Sequence, residues 1–350
     1  MVVGGDRNDV RRRRAVAQRL HRPPVSGVGE LVRGLLAVQA QDVRAYPHAL
    51  RARATGLAMA DLDAARERGE VVVTWLMRGT LHLVNAEDAA WLHALTAGRQ
   101  ATSGERRLRQ LGVAEVADRA VEVVDEALAD GAPHTRAELT ERLAGIGVPA
   151  QGQAAIHLLG LAARRQVCVL GPAVGGEPAY VSWRAWLGDA DVPVDDPHAE
   201  LARRYLAAHG PATDADLATW SGLPLRDVRA GLRAIGDELV SEPDGLLALR
   251  GPMPDESPPL PARLLPAFDP YLLGWHDRTF AVDPAHATKV APGGGVVKAS
   301  AAVDGRLVAT WRTSRQSGAL RVTLEPFEPL DGDVEAALGE DAAEAGRFES

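Results

Sequence analysis

One pattern constrains this chain more than any other: it occurs three times ahead of the proline-rich stretch Pro252 to Pro259. Each time a helix is followed by a shorter helix, a third helix and a β-hairpin. In the first copy, polar and charged residues open a helix over Asn8 to Leu20. Val28, Leu31, Val32, Leu35 and Leu36 then recur at the spacing of one helix face, and Asp61 to Arg68 forms the third helix. The β-branched run Val71 to Trp75 and the run Thr80 to Val84 flank Arg78-Gly79, a hairpin turn signal. In the second copy, Val116 to Leu128 is periodic, Thr135 with Glu138 forms a capping box, and Gln151 to Arg164 is the third helix. Val167 to Leu170 and Ala179 to Val181 flank Gly175-Gly176. In the third, Ala199 to Ala208 stops at His209-Gly210-Pro211, and Thr213 with Asp216 caps Asp214 to Ser221. Leu225 to Ile235 follows, and Leu239-Val240 and Leu246 to Leu249 flank the turn Pro243-Asp244-Gly245. Three helices and a two-stranded wing make a winged helix-turn-helix.

Beyond the linker Pro252 to Pro259, the runs Leu264-Leu265, Phe280 to Val282, Gly295 to Ala302, Arg306 to Arg312 and Leu320 to Glu325 read as short strands. Asp304-Gly305 is a hairpin turn between two of them. The expected fold is α+β, mainly α, with three tandem winged helix-turn-helix units and a small C-terminal β-barrel. The expected divisions are 1–100, 101–192, 193–256 and 257–335, with an acidic tail over 336–350 that ends in a short helix or frays.

Composition narrows the chemistry. With 46% hydrophobic and 25% charged residues, the 350-residue chain is globular rather than disordered. No apolar run approaches the ~18 residues of a membrane span, and the first residues lack the apolar core of a secretory signal. A cytoplasmic protein is expected. The single cysteine, Cys168, excludes an internal disulfide and a cysteine-based zinc site. The histidines show no close pairing, no P-loop or nucleophile elbow is present, and Gly293-Gly294-Gly295 lacks dinucleotide spacing. Neither a metal nor a cofactor is expected.

The net charge of −8 argues at first against a nucleic-acid partner. Its distribution reverses that. Residues 1–100 hold 15 arginines against 10 carboxylates, a net of +5, whereas residues 101–200 hold 9 against 15, a net of −6. Arginine presents a planar fork suited to phosphate. Arg11 to Arg14 mark the basic end, and Arg11, Arg12 and Arg14 are candidate DNA-backbone contacts.

Three motifs carry a family resemblance: Leu35-Leu36-Ala37-Val38-Gln39-Ala40-Gln41-Asp42, the stretch Thr74 to Val84 containing Arg78-Gly79-Thr80-Leu81-His82, and Leu264 to Gly274 containing Pro266-Ala267-Phe268-Asp269-Pro270-Tyr271. In order and over residues 8–330, they resemble the winged-helix DNA glycosylases of the AlkZ/YcaQ type. The resemblance implies a C-shaped clamp on double-stranded DNA and excision of N7-alkylated purines, bulky adducts and interstrand crosslinks included. It places the catalytic signature, Gln then an apolar residue then Gln or Asp, on Gln39-Ala40-Gln41.

Amides suit that chemistry. An N7-alkylpurine is already cationic and departs without protonation. The enzyme need only aim water at the sugar C1′, and an amide oxygen can accept a hydrogen bond from that water. Neutral amides also avoid stabilising the cationic ground state as a carboxylate would. Residues two apart share a face in extended chain but not on a helix. Both amides therefore meet one lesion most easily if the helix ends near Val38, with Ala40 turned to the core. The alternative is that both glutamines merely cap that helix. Asp42 is a second candidate base, or a cap for the next segment. Arg78 and His82 on the first wing are candidate phosphate or lesion contacts, with a core histidine as the alternative for His82. Asp269 and Arg278 either line the cleft or pair with each other. Lys289 and Lys298, the only lysines, lie far in sequence from the glutamines, so a Schiff-base lyase is not expected. The competing functions are a winged-helix regulator without enzymatic activity, reading DNA through residues such as Gln153, His157 and Arg164, and a protein scaffold. A monomer is expected.

Overall fold

A computed structural model describes residues 7–96, 98, 101–188, 194–251, 260–316 and 319–349. The proline-rich linker 252–259 lies outside the described residues. The chain mixes helix and sheet and divides into two compact units, Met1–Leu62 with His198–Ser350, and Asp63–Pro197.

In the second unit, helix Ala117–Leu128 is followed by the short strand His134–Thr135, helix Arg136–Ala144, helix Ala154–Arg164 and the hairpin Cys168–Val174 with Glu177–Ser182. The capping box forms as expected: the Thr135 hydroxyl accepts from the Glu138 amide and the Glu138 carboxylate accepts from the Thr135 amide. Apolar Ala120, Val121, Val124 and Leu128 face Leu158, Leu159 and Ala162, all buried. The first hairpin, Val71–Trp75 with Leu81–Asn85, pairs in register Val71↔Asn85 to Trp75↔Leu81. It also meets the second hairpin at Val73↔Leu170. Five strands thus run in the order Leu81–Asn85, Val71–Trp75, Cys168–Val174, Glu177–Ser182, His134–Thr135. The boundary expected at residue 100 therefore cuts a continuous sheet, because the edge strands Val71–Trp75 and Cys168–Val174 pair with each other.

In the first unit, helices Arg7–Ala17, Val28–Leu35 and Tyr46–Arg51 precede the helix Met59–Glu67, within which the unit ends. Val28, Leu31, Val32 and Leu35 are the buried face of their helix, as the periodicity requires. Helices Pro197–His209, Asp214–Ser221 and Leu225–Ala234 lead into the two-stranded hairpin Leu239–Ser241 with Leu247–Leu249. Thr213 and Asp216 form the second capping box.

The C-terminal region departs from expectation in three ways. Its strands form an open four-stranded antiparallel sheet in the order Ala319–Pro326, Arg306–Gln316, Ser300–Val303, Arg263–Leu265, not a closed barrel. Phe280 to Val282 is turn rather than strand. The acidic end, expected as a short helix or a frayed tail, is part of the longer, 17-residue helix Gly332–Phe348. The open sheet and the helix go together. Leu338 packs with Leu264, Ala301 and Ala309, and Val334 and Ala342 join them, so a helix covers the sheet face and closure is unnecessary. Asp341, in the same stripe, turns inward to the Arg51 and Arg263 guanidiniums and the Leu264 amide.

Candidate active site

The glutamine motif occupies a break in the backbone. Helix Val28–Leu35 stops at Leu36, whose φ of 66° is left-handed, and Val38–Gln39 is extended. The helix ends near where two amides on one face require it to. Val38 and Ala40 are buried, Gln39 between them is half-buried and Gln41 is exposed. The Gln39 Oε1 is enclosed and accepts no hydrogen bond among the described residues. An enclosed amide oxygen without a donor costs about 1–3 kcal/mol, so it is a place where water or a ligand donor gains most.

The following residues fix the motif in place. The Asp42 carboxylate accepts from the Arg44 amide at 2.9 Å and from the Ala45 amide at 3.2 Å, the cap reading of this residue. That turn starts helix Tyr46–Arg51, whose Arg51 forks onto the Asp341 carboxylate at 3.0 and 2.9 Å. Asp42, Val43 and Arg44 form one wall of a cavity of about 920 Å3; Pro266, Trp311 and Arg312 form part of another. The Trp311 ring is held by its Nε1 donating to the Leu265 carbonyl at 2.8 Å. His48 also lines the cavity, its Nε2 3.0 Å from Glu349 and its Nδ1 enclosed and, among the described residues, unpartnered. Burial lowers its pKa and favours the neutral ring. Arg44 was missed in the sequence: it is exposed beside the motif and forms no ion pair among the described residues. Its position three residues after Gln41 was the available signal.

Most of the other expected site residues have partners within the protein, although the Arg12 side chain stays 52% exposed. Arg11 and Arg12 both bind the Asp304 carboxylate at 2.8 Å. Arg14 is buried, donates to the Pro211 carbonyl and Asp216, and stacks over Trp275 and Phe280. Arg22, Arg51 and Arg53 are likewise paired internally, with Glu344, Asp341 and Asp269. Much of the +5 of residues 1–100 is therefore balanced by carboxylates distant in sequence. Asp269 and Arg278 do not pair with each other: Asp269 is fully enclosed against Arg53, and the Arg278 Nε donates to the Leu272 carbonyl. In the second unit, Arg78 sits at the hairpin turn with φ 56°, ahead of Gly79 at 73°. His82 lies in the interior at 2% exposure, Nδ1 3.0 Å from the Thr80 carbonyl oxygen.

Burial, assisted by the Arg78 charge, lowers the His82 pKa to about 3. His209, stacked on Tyr205 in the first unit, is also lowered to about 3 by burial. A histidine whose folded pKa is depressed contributes stability that is complete above its unfolded pKa near 6.5 and is lost as pH falls toward 3. Thermal melts from pH 7.5 to 5 are expected to show a midpoint falling below about pH 6.5, at up to about 1.4 kcal/mol per pH unit for each histidine. His209→Phe should flatten that slope; an unchanged slope contradicts the assignment.

Among the described residues, no group of three or more potential ligands could hold a metal, and no helix is long and apolar enough to cross a membrane. A family model described as DNA glycosylase AlkZ-like matches residues 32–348. The interstrand DNA cross-link repair glycosylase of Streptomyces sahachiroi is 28% identical over 297 residues, covering 78% of each chain. The solved structure of Streptomyces sahachiroi DNA glycosylase AlkZ superposes with a TM-score of 0.81 at 25% identity, over 99% of this chain and 97% of that one. The chain belongs to the AlkZ-like DNA glycosylase family.

Proposed function

We propose that this protein is a monofunctional DNA glycosylase that hydrolyses the N-glycosidic bond of N7-alkylated purines in duplex DNA, bulky adducts and interstrand crosslinks among them. The carrying observation is the Gln39 amide oxygen, enclosed and without a donor, one residue from the buried Ala40 and two from the exposed Gln41. Gln39 accepts a hydrogen bond from the attacking water and Gln41 orients it. The water oxygen bonds to C1′, the C1′–N9 electron pair passes to the cationic purine, and the water's proton leaves to solvent. Arg44 serves as a phosphate contact, and the cavity between Asp42–Arg44 and Trp311 takes the bulk of the adduct. The three helix-and-hairpin segments act as winged-helix DNA-binding units. The name of the S. sahachiroi relative, a cross-link repair glycosylase, supports the substrate class.

The test is a duplex with a defined N7-linked interstrand crosslink, alongside one with N7-methylguanine, each incubated with the protein and run on a denaturing gel. Unhooked strands and alkali-labile sites are expected, with no covalent adduct trapped by borohydride. An intact crosslink and no labile site, despite tight binding, would make the protein a DNA-binding module instead.

A further inference from the structure

A second concavity, of about 440 Å3, lies in the second unit among helices Ala101–Gln110, Ala117–Leu128 and Ala154–Arg164. Its apolar lining includes Leu108 and Leu161, and Arg109, Arg164 and Arg165 stand around it. Arg165 is tied to Asp118 at 2.7 Å. Among the described residues, Arg109 has only a long contact, 3.4 Å, from its Nε to the Glu105 carbonyl. Arg164 is the unusual one. Its guanidinium occupies a slot made by two glycines: Nη2 lies 3.0 Å from where a Cβ on Gly104 would stand, and Nη1 3.3 Å from one on Gly160. It is half-buried, and among the described residues no carboxylate or carbonyl pairs with it. Burial and the neighbouring Arg165 both lower its pKa, with no acid to offset them. His157, on the same helix, is lowered by burial and then by the charges of Arg107 and Arg164, so positive potential extends along these helices. Glu105 and Asp118 are the two acids at this site, and Asp118 is already matched.

A half-buried guanidinium without a partner is costly unless an anion completes it. An apolar floor with a basic rim fits deoxyribose beside phosphate, and arginine forks suit phosphate oxygens. We propose that this concavity holds one backbone phosphodiester of duplex DNA, with Arg164 as the bidentate contact and Arg109 as the second cation. The proposal rests on DNA being the partner, as in the proposed function, but not on catalysis.

The test measures binding of a labelled, undamaged duplex across a salt series. Arg164→Ala should weaken binding about tenfold and reduce the slope of log K against log salt by about 1. Arg109→Ala should shift both in the same direction. Arg119→Ala, whose guanidinium is held by Glu122 and Glu126, should shift neither. If Arg164→Ala does not fold, Arg109→Ala carries the same readout from an exposed position. Unchanged affinity and slope in the folded variants overturn the proposal. So does binding of a free mononucleotide that Arg164→Ala or Arg109→Ala abolishes while the duplex slope stays unchanged, which identifies a small-molecule site. Wild-type protein that binds no duplex at all overturns the DNA reading with it.

Discussion

Asp269→Ala is expected to lower the stability of the protein by about 3–5 kcal/mol, the usual cost of stranding one partner of a buried ion pair. Both side chains of the pair are fully enclosed. Arg53 reaches the Asp269 carboxylate at 2.6 and 2.9 Å, and also the Gln18 amide oxygen and the Ala49 carbonyl. Asp269 further accepts from the Tyr271 amide at 2.8 Å, capping the short helix Pro270–Leu273. Alanine removes the cap and leaves a guanidinium buried without its counter-charge, and among the described residues its Nε has no partner even in the intact protein. Asp269→Asn keeps the shape and part of the cap, so a smaller loss is expected. Urea melts decide the matter: a loss under about 1 kcal/mol for alanine would contradict a structural role and return Asp269 to the list of cleft residues.

Gln39→Ala combined with Gln41→Ala is expected to slow base excision on the order of 10²–10³-fold, the usual cost of removing preorganised polar groups from a reaction centre. The single variants should each lose nearly as much as the pair, because groups positioning one water act as a unit. Stability should move the other way. Gln39 carries an enclosed acceptor without a donor, so Gln39→Ala removes a cost and should leave the melting midpoint unchanged or raised. A residue that merely capped helix Val28–Leu35 would show the reverse: lower stability and unaltered excision.

Local elements were legible in the sequence where one short-range rule settles them. The helix face of Val28 to Leu35, both capping boxes and the turns at Arg78-Gly79, Asp244-Gly245 and Asp304-Gly305 appear where spacing and turn chemistry put them. Long-range partnership was not legible. Arg11 and Arg12 meet Asp304 across about 290 residues, and Arg51 meets Asp341 across as many. A count of charge by segment therefore did not show that several of these arginines are paired internally. The length of the helix Gly332–Phe348 was obscured by its acids, although Val334, Leu338, Ala342 and Ala345 hold helical spacing. For the candidate site, the motif singled out Gln39 and Gln41, and the left-handed Leu36 that ends the helix before them became visible only in the backbone. Arg44 and the Trp311 wall needed the fold, since the latter lies some 270 residues further along the chain.

Single-turnover release of N7-methylguanine from duplex DNA, measured with wild type and with the double glutamine variant at protein concentrations that saturate the duplex, tests the central claim most directly. The account predicts abasic sites with wild type, a rate at least ~10²-fold lower for the variant, and duplex affinity retained by both. Equal rates in the two proteins, or no release by either while both bind the duplex, would contradict it.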